Sequence, residues 1–487
     1  MTVRHRRALI STVLGSAALM AFTMLSGKIV AVVAGPAGIG LLSLLRQFRQ
    51  SSFALSTMSG QTALVQGTAS REGEVRADYT ATVLQIMLGT TTIVVAGTFL
   101  FAPQLAARAL PGVADGVVLI RWMTIPVMLG SMQFFVSGLL MADRRMEAYA
   151  TVQTCAGLTL LVLALPASQL FVSGDARSLV GLLGARSAIA LGAGVAFAWG
   201  ASRLGATIRR ALTRKGDAEA GRHFLGFAGT LVVTAFVGTT VVLLLRVWTT
   251  AAGGLTSAGF FDAAWTLSVS APLMLMAAMQ GYYLPLLSGT REASAFTDTV
   301  RDFLLLALSL GAPAVALSIA AKPGLVTLLF SSEFQGALVA LRWMLPGLYL
   351  TSLAWVLTVP ILAHARMRVF VKYELSWNIG LLGCAWLLNR GGSPEGIGMA
   401  YLIVSVGRVL FGLWYVRTVH ALRADPALVC SFLVGSVLVL ITTMATWASR
   451  EVHLALVALA AGCMLLAGAA AYDGRFFARL GRRRTAS

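Results

Sequence analysis

Apolar runs of about 20 residues recur from one end of the chain to the other, separated by short polar breaks. Each is long enough to cross a hydrocarbon core of about 30 Å. In order, they predict helical spans at 8–33, 38–66, 77–101, 117–142, 148–170, 178–203, 223–248, 258–287, 298–320, 337–362, 370–389, 396–419, 427–448 and 453–472. The alternating segments of about ten residues that a transmembrane barrel requires are missing. The pattern therefore predicts an all-α polytopic membrane protein with about fourteen spans, and an even number puts both termini on the same side.

Composition supports this reading. The chain has 487 residues, 57% of them hydrophobic and only 12% charged, with a mean hydropathy of +0.81. A soluble protein of this length would carry about twice that charge. The net charge of +19 comes from 34 Arg and 4 Lys. In a soluble protein such a balance would suggest nucleic acid, but here the positive-inside rule accounts for most of it and no nucleic-acid partner is expected. With the N-terminus inside, the inner segments and inner span ends hold 25 Lys and Arg, the outer loops five (Arg108, Arg177, Lys322, Arg390 and Arg450), and the rest of the spans eight. Both ends are thus expected in the cytoplasm. The apolar run after Arg4, His5, Arg6 and Arg7 is about 26 residues long, too long for a signal-peptide core, and reads as the first span.

The longest segment between spans, 204–222, is basic and reads as a partly helical linker on the inner surface. It divides the chain into a lobe at 1–203 (spans 1–6), the linker, a lobe at 223–419 (spans 7–12), and a region at 420–487 with spans 13–14 and a basic tail. A faint repeat supports two related halves. Lys28 precedes the step Ala37-Gly38 by 9 residues, and Arg246 precedes Ala258-Gly259 by 12. Repeated halves with the site at their interface are common in secondary transporters.

The candidate chemistry lies in cations placed where they are costly. A cation at mid-bilayer costs about 2.5–3.5 kcal/mol on insertion scales. Lys28, Arg46 and Arg49 fall within the first two spans, around a tight Gly-Pro-Ala-Gly corner. Arg46, Gln50, Thr57 and Gln61 follow a spacing close to the helical period, so the second span carries a polar stripe with Arg49 beside it. This stripe reads as a cavity wall or as interhelical hydrogen bonding. Arg246, near the outer end of span 7, either faces the same cavity or snorkels to the interface. Arg121 and Arg342 lie near outer ends and favour snorkelling, while Arg186 and Arg408 are deeper and either pair inside the bundle or line a path. Acids are few: Asp262 in span 8 and Glu374 in span 11, with Asp78, Asp298 and Asp302 at inner ends of spans. Asp262 reads as a counter-ion or as a proton or sodium site. Several cations with few acids favour an anion, and guanidinium forks match phosphate oxygens bidentately. Cys155, Cys384, Cys430 and Cys463 are scattered and read as packing residues. The five histidines never cluster, so neither a metal nor a cofactor is expected. Pro126, Pro166 and Pro272 are expected to kink spans 4, 5 and 8.

Two segments carry a family resemblance. KIVAVVAGPAGIGLLSLLRQF (28–48) resembles the first corner of Wzx-type O-antigen and lipid-linked oligosaccharide flippases, members of the multidrug/oligosaccharidyl-lipid/polysaccharide (MOP) exporter superfamily. AGFFDAAWTLSVSAPLMLMAAMQGYYLPLLSG (258–289) resembles the eighth span of that family. The resemblance implies a V-shaped pair of pseudo-symmetric six-helix lobes with alternating access. It implies a cargo of undecaprenyl-diphosphate carrying a sugar repeat unit, a place in the bacterial inner membrane, and a polysaccharide polymerase and chain-length regulator as partners. Lys28, Arg46, Arg49 and Arg246 are where this chain would supply the family's basic cavity. About fourteen spans, rather than twelve, depart from the usual pattern and are also typical of lipid II flippases. Two other readings compete. A multidrug antiporter of the same superfamily would bind organic cations and use membrane carboxylates, against the charge balance here. A membrane-embedded polymerase or glycosyltransferase would need a large outer loop or an acidic metal-binding loop, and no nucleophile–base constellation is present. The expectation is a transporter and not an enzyme.

Overall fold

The computed structural model describes residues 3–447 and 462, apart from 202–203, 214–215, 291, 365, 389–392 and 421–425. Residue 462 aside, the fourteenth span expected at 453–472 lies outside the described residues. Within them the regular structure is helical, and ten stretches are long and apolar enough to cross a membrane. Two of these are too long for one crossing: Ala17–Ser56 has 40 residues and Ala218–Leu273 has 56. At 1.5 Å per residue they would extend about 60 Å and about 80 Å. A single glycine break resolves each. Gly35 (φ 63°, ψ −167°) and Gly254 (φ 69°, ψ −172°) take almost the same conformation, one that residues with a Cβ rarely reach. Each long helix is therefore two arms, matching spans 1–2 and 7–8. With helix Met367–Leu388 the described helices account for the first thirteen expected spans.

The breaks at 35 and 254 set the repeat at 219 residues, two fewer than the Ala-Gly steps suggest, and it extends well beyond them. In the first half, short helices Ala102–Ala109 and Gly116–Trp122 precede helix Thr124–Ala142. In the second, Lys322–Leu329 and the 3₁₀ turn Ser332–Ala337 precede helix Leu338–Ala363. The tripeptide Arg121-Trp122-Met123 recurs as Arg342-Trp343-Met344 at this place. Arg186 and Arg408, each in the last span of its half, form a third such pair.

Several local expectations change. The second span is not one helix to residue 66: it ends at Ser56, Met58 and Ser59 take positive φ, and a new helix runs Gln61–Ala69. Pro126 does not kink span 4, because it lies in the first turn of helix Thr124–Ala142, where its missing N–H costs nothing. Pro272 does disturb span 8. It removes one intrahelical donor, and the turn before it, Thr266–Ser270, is a π-helix in which the Ala271 N–H reaches back to the Thr266 carbonyl.

Contacts divide the chain into two units, 1–259 with 329–333, and 260–328 with 334–487. In the first, helix Val3–Ser56 packs along helix Met146–Val172, which packs on Arg177–Ala201. A core of Leu64, Tyr79, Phe135, Val136, Leu139 and Phe224 fills its other side. The basic segment after span 6 forms helix Leu204–Thr213 against helix Gly73–Leu100. Arg210 pairs there with Glu74 and, at 3.2 Å, with Asp78. In the second unit, Leu338–Ala363 packs on Pro394–His420 and on Ala293–Ala320, and the thirteenth span, Pro426–Trp447, packs on Ala293–Ala320. Buried Lys322 donates to Thr446 Oγ1 (2.9 Å), so the thirteenth span satisfies a cation of the core.

Candidate functional site

The break at Gly35 starts a new arm at Pro36, and this arm sets the first candidate site. Pro is pre-organised for a first helical turn, so the residues after it run helically to Ser56. Arg46 and Arg49 lie three residues apart on one face of this arm, both half-buried. Arg49 reaches across helix Thr124–Ala142 where that helix has no side chain: a Cβ at Gly130 would stand 3.6 Å from Arg49 Nη1. Arg186 lies on helix Arg177–Ala201, which packs on helix Thr124–Ala142. Arg49 feels the repulsion of both Arg186 and Arg46, and Arg186 that of Arg46.

Three guanidinium groups from two helices thus share one region inside the first unit. Among the described residues neither Arg49 nor Arg186 has an ion-pair partner, and the Nε atoms of both are buried without an acceptor. A buried, unmatched charged donor costs about 1–3 kcal/mol or more. An oxyanion would relieve both the missing acceptors and the mutual repulsion, with short charge-assisted bonds.

Arg246 is positioned differently. It is buried, and its Nη1 donates to Gln47 Oε1, while Gln47 Nε2 donates to the Thr239 carbonyl at 2.8 Å. Gln47 projects from the arm about 100° from Arg46, so Arg246 meets that arm on another side. Lys28 stands half-buried on the arm before Gly35. Of the expected stripe, Gln50 is exposed. Thr57 is fully buried and returns its hydroxyl to the Phe53 carbonyl (2.8 Å). Gln61 opens the next helix, so it no longer shares a face with Arg46; its Nε2 lies 3.5 Å from Met141 Sδ. Asp262 is buried in the second unit.

The remaining cations also have distinct settings. Arg121 is exposed, with its guanidinium 5.1 Å from the Phe99 ring centre. Arg342 lies 3.9 Å from Glu395. Arg408, the counterpart of Arg186, is neutralised: Nε donates to the Tyr373 hydroxyl (2.6 Å), Nη2 stands 3.7 Å from Glu374, and the group lies over Trp377 at 4.3 Å. The two halves therefore treat equivalent arginines in opposite ways. Gln47 is the residue that sequence reasoning missed, and Arg186 the one it left between pairing inside the bundle and lining a path. The available signals were the depth of Arg186 in a span without acids, and an amide beside two arginines.

Neither a protein-family model nor a curated protein matches the chain. Solved structures do. A lipid II flippase, MurJ, in an inward closed conformation, superposes with a TM-score of 0.69 at 13% identity, over 98% of this chain and 100% of that one. An inward-facing multidrug resistance MATE transporter of the MOP superfamily gives 0.68 at 14%, over 85% and 100%. A MOP superfamily transporter from Pyrococcus furiosus Vc1, described by the reverse polarity of its binding pocket, gives 0.59 at 14%, over 85% and 95%. At such identities the likeness is one of fold. The chain is a multi-pass α-helical membrane protein with the fold of the MOP superfamily transporters.

Proposed function

We propose that this protein is a flippase that moves an undecaprenyl-diphosphate-linked oligosaccharide, an O-antigen or other surface-polysaccharide repeat unit, across the bacterial inner membrane. The observation that carries the reading is the group Arg46, Arg49 and Arg186: converging cations, two of them without a carboxylate, in an apolar bundle. A diphosphate offers the acceptors and the charge this group lacks. Arg186 joins Arg46 and Arg49 as a head-group ligand, with Lys28 and Arg246 flanking. The likeness to a lipid II flippase over nearly the whole chain supports a lipid-linked cargo.

The cargo's two ends call for different solvents. Its diphosphate and sugars exchange water for the arginines, while the prenyl tail stays in lipid, because withdrawing it would forfeit about 0.8 kcal/mol per methylene. Alternating exposure of the cations to the two sides of the membrane then carries the head group across, with both termini in the cytoplasm. A proton or sodium gradient coupled through Asp262 is the energy source we assign. The multidrug reading shares the fold, but three guanidinium groups would repel an organic cation.

The test uses purified protein in proteoliposomes with a fluorescent undecaprenyl-diphosphate oligosaccharide, and follows its accessibility to a membrane-impermeant quencher. Wild-type protein should translocate it, and R49Q, R186Q and the double substitution K28A/R46A should not, at equal reconstitution. Normal translocation by all three variants, or efflux of a cationic dye in place of the glycolipid, would overturn the proposal.

A further inference from the structure

A second site lies wholly within the second unit. Between helices Met367–Leu388 and Pro394–His420 is a cavity of about 540 Å³, lined by Arg366, Lys372, Trp377, Phe411, Trp414 and Tyr415 among others. That volume falls in the usual range for small-molecule sites, about 300–1,000 Å³. Its walls have two characters. Arg366 and Lys372 are exposed, one just before the first turn of its helix and the other six residues further on. The aromatic wall continues into side chains that are largely exposed: Trp414 is 59% exposed, Leu410 61% and Ile379 62%. Exposed apolar side chains on a membrane span face hydrocarbon, so the cavity joins a cationic mouth to a lipid-facing surface.

The charge count narrows the occupant. Arg408 also lines the cavity, but Glu374 and the Tyr373 hydroxyl already hold it. Arg366, whose guanidinium also meets the Tyr415 hydroxyl, and Lys372 line the mouth with no carboxylate among the lining residues, which suits a phosphate group. The size agrees, since a head group with the first carbons of its chains fits where an oligosaccharide would not. By the charge distribution of the chain this mouth is at the cytoplasmic end, where anionic lipids meet basic pockets between helices. We infer that this groove is a binding site for an anionic glycerophospholipid of the inner leaflet, its phosphate held by Arg366 and Lys372 and its chains along Trp377, Phe411 and Trp414. The site is separate from the arginine group of the first unit and does not rest on the transport reading.

Native mass spectrometry of the full-length protein, titrated with phosphatidylglycerol or phosphatidylcholine, tests the inference. One phosphatidylglycerol should be retained in preference to phosphatidylcholine. R366Q/K372Q should bind it about thirty-fold more weakly, at about a factor of five per cation, while the charge-conserving R366K/K372R should retain it. Brominated phosphatidylglycerol should quench tryptophan fluorescence, and less so in W414F. Equal retention of the two lipids, or unchanged binding by R366Q/K372Q, would overturn the site. Displacement of the bound lipid by stoichiometric undecaprenyl phosphate would overturn the occupant, since the groove would then serve the cargo.

Discussion

Arg246 donates to the side-chain oxygen of Gln47, 199 residues earlier in the chain, and both are buried. The contact joins the arm before the Gly254 break to the arm after the Gly35 break. It holds inside the first unit a cation that the sequence left between facing the cavity and snorkelling to the interface. Just before the break, the Arg246 backbone carbonyl accepts from the hydroxyls of Thr249 and Thr250, both at 2.8 Å.

Replacing Gln47 by Leu should therefore lower stability by about 1–3 kcal/mol, because it strips an acceptor from a buried guanidinium and a donor from the Thr239 carbonyl. Gln50→Leu, three residues on and exposed, should stay within about 0.5 kcal/mol of wild type. Thermal unfolding of the detergent-solubilised protein checks both. Equal midpoints for the two variants would mean that the buried contact contributes nothing.

The two glycine breaks bring two further glycines into reciprocal contact. Gly40 lies against the carbonyl of Leu255, and Gly259 against the carbonyl of Pro36. Both pairs keep the same 219-residue offset, 40 with 259 and 36 with 255, as do the breaks themselves at 35 and 254. A methyl group at either glycine would collide with backbone, which cannot rotate away. Gly40→Ala and Gly259→Ala should each cost about 1–3 kcal/mol or prevent folding, whereas Gly89→Ala, with open space around it, should be neutral or slightly stabilising. Folded yield and unfolding midpoints measure the contrast.

In the second unit, Arg408 and Glu374 stabilise each other only as a pair. Glu374→Gln removes the charge opposite a buried guanidinium and should destabilise by about 3 kcal/mol, the lower end for a buried pair because Glu374 is 27% exposed. Replacing both by Leu removes the charge and its penalty together, so E374L/R408L should be more stable than E374Q. A double-mutant cycle on unfolding midpoints decides this, and an E374Q protein as stable as wild type would show the pair to be inert.

How far the sequence could be read follows from what membrane insertion demands. Length and apolarity of each run are local properties, because every span must satisfy its own backbone and bury its own surface. That is why thirteen spans and the two-fold repetition were legible from the order of residues. The cations within spans 1, 2, 6, 7 and 12 were legible for the same reason, as groups too costly to keep without a role. Which of them share a site depends on the rotation of each helix and on where a chain break resets its phase, and neither is written in any single segment. Tertiary structure alone ended the polar stripe at Ser56, turned Arg246 toward Gln47, brought Arg186 to Arg46 and Arg49, and set Glu374 against Arg408. A helix's hydrophobic length is set by its own residues, but the direction of a buried charge is set by whatever the neighbouring helices leave for it to meet.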